Sequence, residues 1–245
     1  MNKNIALYTL AIWLMLCTSL FAAENTDKKW SDEAELSYVD TSGNTELLSL
    51  SAKNKLGYQI TDRLSGEWNL SALYGEVDGD KIAERYGTDV RLDYDFTDRL
   101  YAAGIAGWLK DEFAGIDHQI YIGPAVGYKF LLGPKHFLNG EAGVEYVKED
   151  YTNDEKENFM QGRLYGLYEF LLTEKSKFSQ SLEYLHNFED ANNYNANSIT
   201  AVITSLSDTF SIKTSYEVYY DNETVPDSLE KTDTILSVAL VVNFK

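Results

Sequence analysis

Proline is nearly missing from this chain, with three in 245 residues, and cysteine is rarer still, with one. That thiol, Cys17, sits in the apolar N-terminal stretch. A disulfide framework and a cysteine-ligated metal site are therefore excluded for the rest of the chain. Basic charge is scarce too: 21 Lys and Arg stand against 39 Asp and Glu, a formal net charge of −18. Such a balance argues against a nucleic-acid partner, whose phosphates attract basic surfaces. Beyond residue 23 no apolar run approaches the roughly 20 residues that a membrane helix needs. The remaining chain is then either water-soluble or crosses a membrane as a closed barrel, the other structure that satisfies its own backbone in lipid.

What is abundant points to strands. Hydrophobic residues make up 44% and aromatics 13%, with 18 Tyr, which is too ordered a composition for a disordered chain and suits β-structure. The first 23 residues read as a secretory signal, with Lys3, an apolar run from Ile5 to Phe21, and Ala22-Ala23 for cleavage after either alanine. That run is short for an uncleaved anchor. Leu16 before Cys17 is not the small residue that lipoprotein processing requires. The predicted organisation is a signal peptide over 1–23 and a single domain over 24–245.

Period two dominates that domain. Leu48, Leu50, Ala52, Leu56, Tyr58 and Ile60 alternate with Ser49, Ser51, Lys53, Lys55, Gly57 and Gln59. Successive strand side chains face opposite ways, so each such segment has one apolar and one polar face. Twelve segments follow this rule: 30–39, 47–60, 64–75, 85–96, 100–109, 118–131, 137–148, 159–171, 177–188, 197–206, 209–220 and 233–244. In the tenth, Ile199, Ala201 and Ile203 compete with Val202 and Leu206 for the apolar face. Short turns fall at Thr61-Asp62-Arg63, Thr97-Asp98-Arg99, Gly133-Pro134, Thr173-Glu174-Lys175 and Ser207-Asp208, about 36 residues apart, one hairpin per interval. Longer loops are expected between them, at 40–46, 76–84, 110–117, 149–158, 189–196 and 221–232. Short turns on one side and long loops on the other are the habit of outer-membrane barrels.

Aromatics give an independent check. On the apolar face Tyr58, Tyr94, Phe96, Tyr128, Phe130, Tyr168, Phe170, Phe178, Phe210 and Phe244 lie near the short turns. Tyr38, Tyr74, Tyr86, Trp108, Tyr146, Phe188 and Tyr220 lie near the long loops. Two such girdles mark the two membrane surfaces. A lipocalin-like barrel would instead turn its apolar face inward, and would not sort its rings this way. The fold class is all-β: a single twelve-stranded antiparallel up-and-down transmembrane β-barrel. An even strand count puts both termini on the short-turn, periplasmic side. A last strand ending on Phe244 before Lys245 suits recognition by the barrel-assembly machinery.

Several motifs carry a family resemblance. Trp30 opens the first strand, Thr41-Ser42-Gly43-Asn44-Thr45 forms the first loop, and Val225 to Thr234 runs into Val241-Val242-Asn243-Phe244. On these residues the chain resembles the salt-induced outer membrane protein family (YdiY-like), a family of unknown function, over nearly all of the domain. The resemblance implies an outer-membrane barrel and a link to salt stress, and brings no reaction, ligand or catalytic residue.

On the lumen face the alternation places Glu35, Lys53, Lys55, Glu67, Arg85, Asp89, Arg91, Asp93, Lys129, Glu141, Glu145, Arg163, Glu183, Lys213 and Glu217. Charged rings of this kind provide selectivity in pores. Both signs are mixed along the strands, and unpaired charge is costly away from solvent, so an ion-pair network plugging a narrow barrel is favoured over an open pore. The long loops are acidic, at Glu76, Asp78 and Asp80, at Asp111, Glu112 and Asp117, at Glu149, Asp150, Asp154, Glu155 and Glu157, and from Asp221 to Asp233. They could bind divalent cations weakly and so meet lipopolysaccharide, although no stretch has the calcium-loop pattern. A lipid-modifying enzyme would need a converging nucleophile, base and orienting group. No spacing of His118, His136 and His186 supplies one. The expectation is a non-enzymatic, cofactor-free envelope protein, either a narrow passive channel for small solutes or ions or a structural component. The alternative is an acidic loop platform for cations or surface ligands.

Overall fold

A computed structural model describes residues 29–41, 47–112, 114–224 and 229–244, with backbone alone at 39–41 and 47. The expected signal peptide and the motif Ser42, Gly43, Asn44 and Thr45 lie outside the described residues. Twelve strands follow one another: β1 Trp30–Thr41, β2 Leu47–Gln59, β3 Leu64–Val77, β4 Asp80–Asp95, β5 Leu100–Asp111, β6 Ile116–Leu132, β7 His136–Tyr151, β8 Lys156–Leu171, β9 Ser176–Asn187, β10 Tyr194–Ser205, β11 Phe210–Asp221 and β12 Thr232–Phe244. Each pairs antiparallel with its sequence neighbours. β1 pairs with β12 from Asp32↔Phe244 to Leu36↔Leu240, which closes the ring. Closure removes the edge strands whose unpaired amides could not exist in lipid.

Four of the short turns share one device. In Thr61-Asp62-Arg63-Leu64 the amides of Ile60 and Thr61 donate to the Leu64 carbonyl at 2.9 and 3.0 Å, and Thr61 Oγ1 accepts from the Leu64 amide at 3.1 Å. The second Thr-Asp-Arg-Leu repeats the pattern, with Leu100 donating to Thr97 Oγ1 at 2.9 Å. Thr173 and Ser207 use their hydroxyls in the same way. A hydroxyl that caps its own turn explains why Thr or Ser begins each of them. The turn at Gly133-Pro134 differs, with Gly133 at φ +99° and its amide donating to the His136 carbonyl.

Away from the bulged strand ends, large apolar side chains at even positions face outward. Leu236 is 74% exposed, Val238 62%, Leu182 59% and Leu164 57%. In water such a surface would be unsustainable, and in lipid it is the required one. The girdle rings pack against one another at both ends, Tyr94 edge-on to Phe96 at 5.2 Å and Tyr184 tilted against Tyr194 at 5.9 Å among them. In β10, Val202 faces lipid while Ala201 is buried and Ile199 lines the lumen, which resolves the competing pattern there.

The strands run further toward the long-connection side than the alternation implied. The segment 76–84 is not a loop: β3 and β4 continue to a two-residue turn at Asp78-Gly79, both at positive φ (51° and 88°). Positive φ at both turn positions is the geometry that matches the twist of the flanking strands. Likewise only 112–115 and 152–155 separate β5 from β6 and β7 from β8. Outside the apolar band both strand faces meet water, so pairing continues after alternation has stopped.

Candidate functional site

Odd-numbered side chains converge on a cavity of about 790 Å³ in the middle of the barrel. Its walls carry two ion-pair systems. On β4, β7, β8 and β9, the Arg91 guanidinium forks between Asp93 and Glu141, with contacts of 2.6–3.0 Å to each. Arg163 donates to Glu141 at 2.9 Å and to Glu183 at 2.7 Å, and stands 3.8 Å from Glu145. Gln161 donates to Glu145 at 2.8 Å, and Asn197 to Glu183 at 3.1 Å. On the facing arc, Lys53 pairs with Glu217, Lys213 with Glu35 and Lys55 with Glu67, each at 2.5 Å. Asn69 donates to Glu67 and to Asp89, both at 2.9 Å.

Small residues make these reaches possible. Arg91 on β4 and Glu141 on β7 are separated by β5 and β6, whose inward positions there are Ala103, Ala125 and Gly127. Tyr101 lies flat over its cross-strand partner Gly127, where a Cβ would collide with the ring, and its hydroxyl donates to Glu141 at 2.7 Å. Tyr121 lies over Gly107 in the same manner. The first wall holds four carboxylates to two guanidiniums, whereas on the second three ammoniums pair one to one with three glutamates and Asp89 is held by Asn69.

Paired charges continue toward both ends of the lumen. Near the short turns Lys129 pairs with Asp95 at 2.8 Å and Lys177 with Glu169 at 2.6 Å, beside the buried Tyr101. Near the long connections Arg85 stands 3.5 Å from Asp111 and its guanidinium carbon is 4.1 Å from the centre of the Tyr219 ring. Further out, Glu149 accepts from Gln119 and from Tyr151. Beyond the outer girdle, a hydrogen bond from Lys156 holds the Asp150 carboxyl below the usual carboxylate range.

Of the charged residues expected in the lumen, Glu35, Lys53, Lys55, Glu67, Arg85, Asp89, Arg91, Glu141, Glu145, Arg163, Glu183, Lys213 and Glu217 line the cavity. Asp93 and Lys129 lie in its shadow, on Arg91 and Asp95. The inward tyrosines Tyr101, Tyr121, Tyr165 and Tyr219 were not among the residues singled out from sequence; their odd numbers are the signal that marks them. Glu76, Asp80, Asp111, Asp117, Glu149, Asp150, Glu157 and Asp221, expected on loops, are strand residues. The histidines stand apart, each among girdle rings: His118 near Trp108, His136 stacked on Phe170 at 4.5 Å, His186 against Tyr184. Among the described residues no group of three or more His, Cys, Asp or Glu could hold a metal ion.

A closed ring with an apolar exterior, two aromatic girdles and a charged, paired interior defines a transmembrane β-barrel of the outer-membrane type. Within that class the chain belongs to the family described as "Protein of unknown function, DUF481", which matches residues 34–244. It is 26% identical over 213 residues to the Escherichia coli (strain K12) protein described as "Uncharacterized protein YdiY", covering 87% of this chain and 82% of that one. Solved barrels share the fold. The COG4313 outer membrane channel from Pseudomonas putida F1 aligns with TM-score 0.55 at 13% identity, over 91% of this chain and 100% of that chain. The translocator domain of autotransporter NalP from Neisseria meningitidis aligns with TM-score 0.54 at 9% identity, over 99% and 97%. The NanC porin aligns with TM-score 0.51 at 7% identity, over 88% and 99%.

Proposed function

We propose that this protein is a narrow passive channel of the Gram-negative outer membrane for small solutes or ions, favouring cations. The observation that carries the reading is the cavity of about 790 Å³ between two paired walls. A purely structural barrel would fill its axis with packed side chains, as small barrels do. Here most of the long charged side chains around the cavity are held by partners on the wall, which leaves an open volume between them. The carboxylate excess around Arg91 and Arg163, and Asp111 at the outer end, favour cations over anions. On this reading both termini face the periplasm, the barrel-assembly machinery inserts the chain, and the outer rim meets lipopolysaccharide. The salt link of the family resemblance fits a route for ions. No reaction is assigned, since the three histidines stand among girdle rings and not in the lumen.

Planar-bilayer recording on refolded protein tests the proposal. Steady unitary currents with a reversal potential displaced toward the potassium equilibrium value are expected in a KCl gradient. Silent bilayers containing folded protein would assign the barrel a structural role instead.

A further inference from the structure

Arg85 and Tyr219 meet across the bore and not along its wall. They leave β4 and β11, which are separated by four strands on the shorter way around the ring and by six on the other. Their side chains nonetheless close to 4.1 Å, guanidinium over ring. Each end is anchored in its own wall. Arg85 Nε is 3.5 Å from Asp111 on the neighbouring β5. The Tyr219 hydroxyl donates to Glu217 at 2.7 Å, and Glu217 is itself gripped by Lys53 at 2.5 Å. Between the anchors the guanidinium–ring contact joins the two walls, and Asp233 on β12 stands close enough to interact with Arg85 as well. Both residues line the cavity at its outer limit, with Leu73, Leu109 and Leu185 around them. Asp111 ends β5 and Asp221 ends β11, both toward the long connections.

We propose that Arg85 and Tyr219 form a crossbar that sets the outer constriction of the lumen and controls passage between the long-connection mouth and the internal cavity. When the contact parts, Arg85 folds back on Asp111 and Tyr219 stays on Glu217, so the bar opens without leaving a charge unpaired. The control of passage rests on the channel reading; the obstruction itself does not.

The two are tested separately. With Cys17→Ser, the substitution Ser71→Cys places the sole thiol on the cavity wall inside the bar. A membrane-impermeant thiol reagent is applied from the long-connection side of reconstituted vesicles. Labelling is expected to quicken by about tenfold or more with Arg85→Ala or Tyr219→Ala, and to change little with Tyr219→Phe, which keeps the ring. Arg85→Gln, which keeps the length and loses the charge, serves if Arg85→Ala does not fold, as judged by heat-dependent gel mobility. Equal labelling rates in folded variants would overturn the crossbar. The same variants are then recorded in bilayers. Faster labelling with larger unitary currents supports both readings, whereas faster labelling without current retains the bar and removes the channel.

Discussion

At Arg163 one buried guanidinium faces Glu141, Glu145 and Glu183. Glu141 is 6% exposed and takes Arg91, Arg163 and Tyr101 on its two oxygens. Without Arg163, Glu141 keeps Arg91, but the buried Glu145 and its neighbour Glu183 lose the cation they share. Arg163→Ala is therefore expected to destabilise the barrel by about 3–5 kcal/mol, read as a lower temperature for the heat-induced gel-mobility change. Glu141→Gln keeps the shape and two donors' worth of acceptor, and should cost less. A second residue-scale effect is purely steric. A methyl at Gly127 meets the ring of Tyr101, which must lift and give up its bond to Glu141. Gly127→Ala should cost about 1–3 kcal/mol by the same assay, in line with overpacking elsewhere. A wild-type transition temperature in Gly127→Ala would show that the ring does not lie where the close approach places it.

At the scale of strands, the same charge has opposite consequences on the two faces. Leu164 of β8 is 57% exposed on the outer face, while Ser179 of β9 lines the cavity. Leu164→Arg should cost about 2–4 kcal/mol, as cations do at the middle of a barrel's lipid face, whereas Ser179→Arg should be tolerated. Denaturant titration in lipid vesicles distinguishes them, and equal costs would contradict the assignment of faces. This face assignment was legible from residues alone, because lipid enforces alternation on each strand that crosses it. The strand ends were not: past the girdles nothing demands an apolar side, and β3 and β4 pair on through Gly75 and Glu76 where the pattern is lost. Nor was the partnering of charges legible. Lys53 and Glu217 are 164 residues apart, and only ring closure brings β2 within reach of β11. The inward tyrosines were hidden for another reason, since a ring with a polar tip suits a membrane surface and a wet lumen equally well.

The whole ring makes its own prediction about depth. Trp68 lies on the lipid face opposite Val90 and is satisfied there by a hydrogen bond to Thr88 at 2.8 Å, while Trp108 sits beside His118 near the outer end of β5. In single-tryptophan variants, acyl chains brominated near the bilayer centre should quench Trp68 more than Trp108, and headgroup-proximal bromines the reverse. Equal quenching at both depths would contradict the placement of the girdles. The parity of the chain carries a last consequence. Inward positions fall on odd numbers from β1 to β12, so a single count runs unbroken through twelve crossings, and the irregularities at Gly75/Glu76, Leu109/Asp111, Ile116/His118 and Lys129/Leu131 all sit at strand ends. Inserting one residue at mid-crossing would turn the charges that follow it toward the acyl chains. Epitope tags, domain grafts and inherited length changes therefore belong at the rims, where the ladder already absorbs an odd residue.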